Sequence, residues 1–181
     1  DGAILAPQVG ERARFAPPAY QPPAEEPEAS EIVEAAFAAE LERQGIELTV
    51  VACSPEGFLE PEDVRDAIKP NTAMIVLNHA SNVVGTLLPV AQVGHIAREH
   101  DVLLLVDAAQ TGGAYPVDVE ADQIDMLGFT GHKSLAGPMG TGGLIVGERV
   151  DVDRLRPLKR GGTGSNSELE EQPDFLPDMF E

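Results

Sequence analysis

Short strand-like runs recur along this chain, at residues 46–52, rich in β-branched residues, and at 73–77, 102–106 and 125–130, and stretches long enough to hold a helix separate them. Such a rhythm restricts the fold sharply. Strands joined through a dozen or more intervening residues can lie parallel, and the connection between them is then a right-handed crossover. Residues 89–99 read as one crossover helix, and Pro61 stands at the first turn of another, where a missing N–H costs nothing. An earlier helix is expected from Ser30 as N-cap, with Ile32, Val33, Ala36, Phe37, Ala39 and Leu41 at helical spacing and Gly45 as its stop. Residues 143–146 read as a last strand. The fold class is therefore α/β, a mainly parallel sheet flanked by helices.

Composition agrees with that class. The chain has 181 residues, 43% of them hydrophobic, which supports one core and does not call for two. Trp is absent and aromatics are few, so the interior has to be built from Val, Leu, Ile and Ala, as suits a sheet covered on both faces. Three segments are expected. Residues 1–30 hold six of the 15 prolines and end in Glu25, Glu26 and Glu28, so they read as a mobile or extended arm without a packed element. Residues 31–160 form the α/β domain, and 161–181 a glycine-rich loop followed by an acidic segment.

The net charge of −19 argues against a nucleic-acid partner, since a phosphate backbone rewards clustered Lys and Arg. Binding to an anionic membrane is disfavoured for the same reason. No apolar stretch reaches the roughly 18 residues that a bilayer span needs, and no leader opens the sequence, which points to a cytoplasmic protein. Ordinary acidity is a simpler account of the charge than adaptation to a salty cytoplasm. The lone Cys53 fits a reducing compartment and reads as a small buried hydrophobe at a strand end. His95 and His100, five apart on one helix, do not share a face, which argues against a metal.

In parallel sheets ligands collect outside the carboxyl ends of the strands. Asn82 lies just past one expected strand, Asp107 ends the next, and Lys133 follows the third, so all three face one edge. Lys133 is one of three lysines in the chain, and in this place an amine suits covalent capture of an aldehyde. Asp107 follows five apolar residues, and burying its charge there requires a cationic partner such as a protonated pyridine nitrogen. Gln110 could donate to a ring phenolate oxygen, and Asn82 to that oxygen or to a substrate carboxylate. Desolvation of Lys133 would help it move protons. Together these residues read as a pyridoxal phosphate pocket.

Each signal has a plainer counterpart. An Asp at a strand end is often only a cap, a lone Gly-His-Lys is weak, and His79 reads as a hydrogen-bonded interior histidine. Residues 137–143 read as a plain glycine turn, whereas Lys159-Arg160-Gly161-Gly162-Thr163-Gly164-Ser165 joins cations to free backbone N–H groups and could cradle a phosphate. Neither stretch matches a nucleotide-binding glycine pattern.

The motifs His79-Ala80-Ser81-Asn82, Val106-Asp107-Ala108-Ala109-Gln110, Thr130-Gly131-His132-Lys133 and Gly161-Gly162-Thr163-Gly164, taken as a set, resemble the class V aminotransferases among fold type I pyridoxal phosphate enzymes. Within them the likeness is to cysteine desulfurases and selenocysteine lyases, and it runs from about Gly45 to the C-terminus. It implies a partial large domain in which Lys133 is the Schiff-base lysine, Asp107 pairs with the ring nitrogen, and Gln110 and Asn82 serve the ring oxygen or substrate. Thr130 and His132 would contact the cofactor phosphate, and Thr163 would reach the phosphate of a partner subunit in a homodimer.

The implied reaction takes sulfur from L-cysteine, giving alanine and a persulfide for an acceptor protein. The family's upstream phosphate-binding Thr loop and ring-stacking histidine, and its downstream substrate-binding arginine and nucleophilic cysteine, have no counterpart here. Two alternatives remain: another class V activity (aminotransferase, epimerase or selenocysteine lyase), or a non-catalytic remnant acting as an interaction module.

Overall fold

The computed structural model of the protein describes residues 2–5 and 38–156. Its elements are β1 (Gly2–Leu5), a helix α1 covering residues 38–43, β2 (Glu47–Val50), α2 (Pro61–Ala67), β3 (Thr72–Asn78), α3 (Val90–Glu99), β4 (Leu103–Asp107), β5 (Met126–Thr130) and β6 (Gly142–Val146). The strands form one sheet in the order β2-β1-β3-β4-β5-β6. All neighbours pair parallel except β5 with β6, which run antiparallel.

The expected strands and helices from β2 onward all form, within a residue or two of their expected bounds. Gly45 adopts φ +74° where α1 stops, the left-handed conformation that favours glycine at a helix end. Pro61 opens α2 as the spacing suggested. One expectation is corrected. The proline-rich stretch 1–30 is expected to be an arm without a packed element, yet its Gly2–Leu5 pairs with Glu47–Val50 on one side and with β3 on the other. Four residues are too few to show a period, and here the pairing of the flanking strands decides. The expected helix start at Ser30 lies outside the described residues, as does the segment 161–181.

The core sits where β3 and β4 meet α3. Ile75, Leu77, Leu104, Val106 and Val93 are fully buried, and Val64 of α2 and Ile96 and Ala97 of α3 are buried as well. Each of the Val, Leu and Ile side chains among them stabilises by about 1.5–3 kcal/mol relative to exposure. α3 lies close to the segment before β5, since a Cβ on Gly94 would stand 2.0 Å from the Asp122 carbonyl oxygen. Asp125, buried at the start of β5, is held by a backbone bond, with Leu104 N–H donating to its Oδ2 at 2.8 Å.

The chain divides into two compact units, Asp1–Gly147 and Glu148–Glu181. The described part of the second contains a 3-10 turn, Val152–Arg154, whose Asp153 N–H donates to the Asp151 carboxylate at 3.2 Å.

Candidate active site

Three loops leave the carboxyl ends of β3, β4 and β5. Asn78 and Asp107 end β3 and β4 side by side in register, and the His79 N–H donates to the Asp107 carbonyl at 2.9 Å. Beyond β3 the chain turns tightly around Ser81, whose hydroxyl accepts from Val83 N–H at 3.1 Å and Val84 N–H at 3.2 Å. Ser81 N–H donates to the Thr86 carbonyl at 3.0 Å, closing the turn that carries Asn82.

After β4, one oxygen of Asp107 accepts from Ala109 N–H at 2.8 Å. The Ala108 carbonyl then accepts from Thr111 and Gly112, at 3.1 and 2.7 Å, which winds Gln110 into a helical turn. After β5, the lysine loop is closed by its own backbone: Gly131 N–H donates to Thr141 O at 2.8 Å, Gly137 N–H to Gly131 O at 2.7 Å, and Ala136 N–H to Lys133 O at 2.8 Å.

The three loops enclose a cavity of about 240 Å³ lined by Asn78, Ala80, Asn82, Asp107, Ala109, Gln110 and Lys133. The acid and the amine singled out from sequence thus converge on one space, with the carboxamides of Asn82 and Gln110 beside them. Asn78 and Ala80 were missed. Strand alternation counted back from Asn82 in steps of two reaches both, so the signal was present.

Two surroundings differ from expectation. Asp107 and Lys133 are both exposed, so the site's acid is not a buried carboxylate and its lysine is not a desolvated amine. The apolar run before Asp107 packs the core through Leu104 and Val106, while Asp107 itself has already emerged at the strand end.

Thr130 and His132 do not line this cavity. The Thr130 hydroxyl donates to the Ala109 carbonyl at 3.4 Å, and His132 is exposed. Thr163 lies outside the described residues. His79 has the interior place expected of it. It is buried, its Nδ1 lies 2.9 Å from the Thr111 hydroxyl, its ring meets Tyr115 edge-on at 5.6 Å, and burial holds its pKa below the usual histidine range. Cys53 packs against the core, and desolvation pushes its thiol up to about 11.

Comparison with known proteins adds the family. The sequence profile of the aminotransferase class-V family matches residues 29–181. The chain belongs to the class-V aminotransferases. Cysteine desulfurase IscS of Dictyoglomus turgidum is 35% identical over 127 residues, which are 70% of this chain and 31% of the relative.

Among solved structures, one described as SspA in complex with cysteine superposes with a TM-score of 0.67 at 29% identity, covering 89% of this chain and 40% of that one. The apo cysteine desulfurase of Thermococcus onnurineus NA1 gives a TM-score of 0.61 at 28% identity, covering 82% of this chain and 32% of that one. This class-V aminotransferase chain thus spans about a third of the length of the curated relative it matches, 31%.

Proposed function

We propose that the chain contributes to pyridoxal-phosphate-dependent desulfuration of L-cysteine, a reaction that passes the sulfur to a thiol as a persulfide and leaves alanine. The observation that carries this reading is the convergence of Lys133, Asp107, Asn82 and Gln110 on one cavity. Its similarity to cysteine desulfurases, and to a structure holding cysteine, supports the amino-acid substrate.

The donor set fits the cofactor. One amine, one carboxylate and three carboxamides face the cavity, and Ala80 and Ala109 keep it open. Its volume lies just below the roughly 300 Å³ at which ligand pockets begin. Lys133 would hold the cofactor covalently, Asp107 would hold the ring nitrogen, and Gln110 and Asn82 the ring oxygen or the substrate carboxylate. Thr130, His132 and Thr163 complete the proposal as phosphate contacts, the last across a homodimer. When bound, pyridoxal phosphate supplies an aldehyde and an electron-withdrawing ring.

Asp107, with one oxygen fixed by the Ala109 N–H, presents a carboxylate whose direction is set by the backbone. Lys133, on a loop closed by three backbone bonds, would move the proton at the substrate α-carbon. Cys53 is not the attacking thiol in this scheme: its raised pKa keeps it protonated near neutral pH. A sulfur-acceptor protein and a cytoplasmic setting belong to the same proposal.

The test is to add pyridoxal phosphate to the purified chain and follow the absorption of bound cofactor. A band that disappears in Lys133→Ala, with circular dichroism unchanged, is the expected result. A band that persists in that variant would overturn the role of Lys133, and no band in the unmodified chain would overturn the cofactor reading. Alanine release from cysteine with dithiothreitol as thiol then tests the reaction itself.

A further inference from the structure

Strand alternation points neighbouring residues to opposite faces, and at the end of β3 it separates two cavities. Asn78 and Ala80 face the site just described. His79, between them, lines a second cavity of about 470 Å³ on the other side, together with Tyr115, Asp122 and the first turn of α3. His79 therefore cannot touch a ligand beside Asp107 and Lys133. It does hold both ends of the segment that carries Asp107 and Gln110. Its backbone N–H donates to the Asp107 carbonyl at 2.9 Å, and its ring lies 2.9 Å from the Thr111 hydroxyl, one residue past Gln110.

The hold is rigid. His79 is 7% exposed and Thr111 is 3% exposed, so their hydrogen bond is made largely away from water, where losing one partner strands the other. Tyr115 packs edge-on against the same ring. Behind Thr111, Gly112 leaves no slack, since a Cβ there would stand 3.1 Å from the Ala108 carbonyl oxygen and 3.3 Å from the Phe129 Cβ. By contrast, the Gln110 side chain makes no hydrogen bond to any described residue, so its direction into the cavity follows from the turn beneath it. Away from the cavity that turn is gripped by the long bond from the Thr130 hydroxyl to the Ala109 carbonyl, 3.4 Å, and, next to Gln110 itself, by His79.

We propose that His79 and Thr111 are positioning residues that fix the turn bearing Gln110, and so aim its carboxamide into the cofactor cavity. The proposal rests on the cofactor reading above. Its consequence is coupling. Loss of the His79–Thr111 bond should weaken cofactor binding through Gln110 and through nothing else in the site.

The experiment is a double-mutant cycle on the full chain, reading the dissociation constant of pyridoxal phosphate by absorbance. Thr111→Val removes only the hydroxyl and should weaken binding by roughly three- to tenfold, the range of one lost hydrogen bond. Thr111→Ser keeps the hydroxyl and should bind as the unmodified chain does. The decisive arm is Thr111→Val combined with Gln110→Ala, which should bind no more weakly than Gln110→Ala alone. His79→Gln approaches the same bond from its other end and replaces Thr111→Val in the cycle if that variant does not fold.

Effects that multiply, or a Thr111→Val chain that binds like the original, would overturn the positioning role while leaving the cofactor reading intact. An unmodified chain that binds no cofactor would remove both.

Discussion

The β3–β4 centre of the sheet and the loop that carries Lys133 are held by different forces. In the centre, Ile75, Leu77, Leu104 and Val106 are removed from water, and the strands run in register over five consecutive pairs from Met74↔Leu103 to Asn78↔Asp107. Residues 132–136 are all exposed, and β6, to which the loop leads, is mostly exposed too, with Leu144 and Ile145 among the large apolar side chains left in contact with water. What shapes that loop is backbone hydrogen bonding and the close approach of glycines. A Cβ on Gly131 would lie 2.2 Å from the Thr141 hydroxyl oxygen, and one on Gly143 would lie 2.6 Å from the Phe129 ring. The site therefore joins a base set by hydrophobic burial to a lysine set by local geometry, and damage to the two should look different.

The largest effect should come from the centre. Leu104 is fully buried, so Leu104→Ala should cost about 2–5 kcal/mol of stability through lost burial and the cavity left behind. Chemical denaturation would measure it, and a loss below about 1 kcal/mol would show that the centre is less well packed than its burial implies.

Gly131→Ala sharpens the contrast. Overpacking of this kind costs typically about 1–3 kcal/mol, and Thr141→Ala in the same chain should return part of it by removing the oxygen that the new methyl meets. Cofactor absorbance should fall more steeply than stability in Gly131→Ala. Equal falls would mean that the lysine loop is part of the cooperative core.

The smallest effect is a dependence on pH. Burial lowers the pKa of His79 in the folded chain, so the unfolded chain takes up the proton first as the solution is acidified. Stability from this residue is whole above about pH 6.5 and declines below it, by at most roughly 1.4 kcal/mol per pH unit. Denaturation at pH 7.5 and 5.5 should show that decline, and His79→Gln should reduce it. An unchanged decline would assign the acid sensitivity to other groups.

Much of this could be read from the sequence. Residues 73–77 and 102–106 declared themselves as strands because each is an unbroken apolar run between turn-forming residues, 125–130 through Met126, Leu127 and Phe129, and α3 because Val90, Val93, Ile96 and Ala97 recur at helical spacing. The convergence of Asn82, Asp107 and Lys133 followed from strand direction alone.

Gly2–Leu5 escaped because a strand of four residues gains its identity from partners distant in sequence. Asn78 is not marked by the loop motifs, because it belongs to the last position of β3 and reaches the cavity through strand alternation. The exposure of Asp107 and Lys133 could not be judged from the residues before them, because a side chain one position past a buried run is placed by where the strand ends.

The position of β1 bears on how the molecule assembles. β1 lies between β2 and β3, whose pairing residues come some 45 and 70 positions later. Both of its edges are therefore satisfied only by segments far along the chain, with no local turn to bring them together. Inserting it between them is a long-range step of the kind that slows folding.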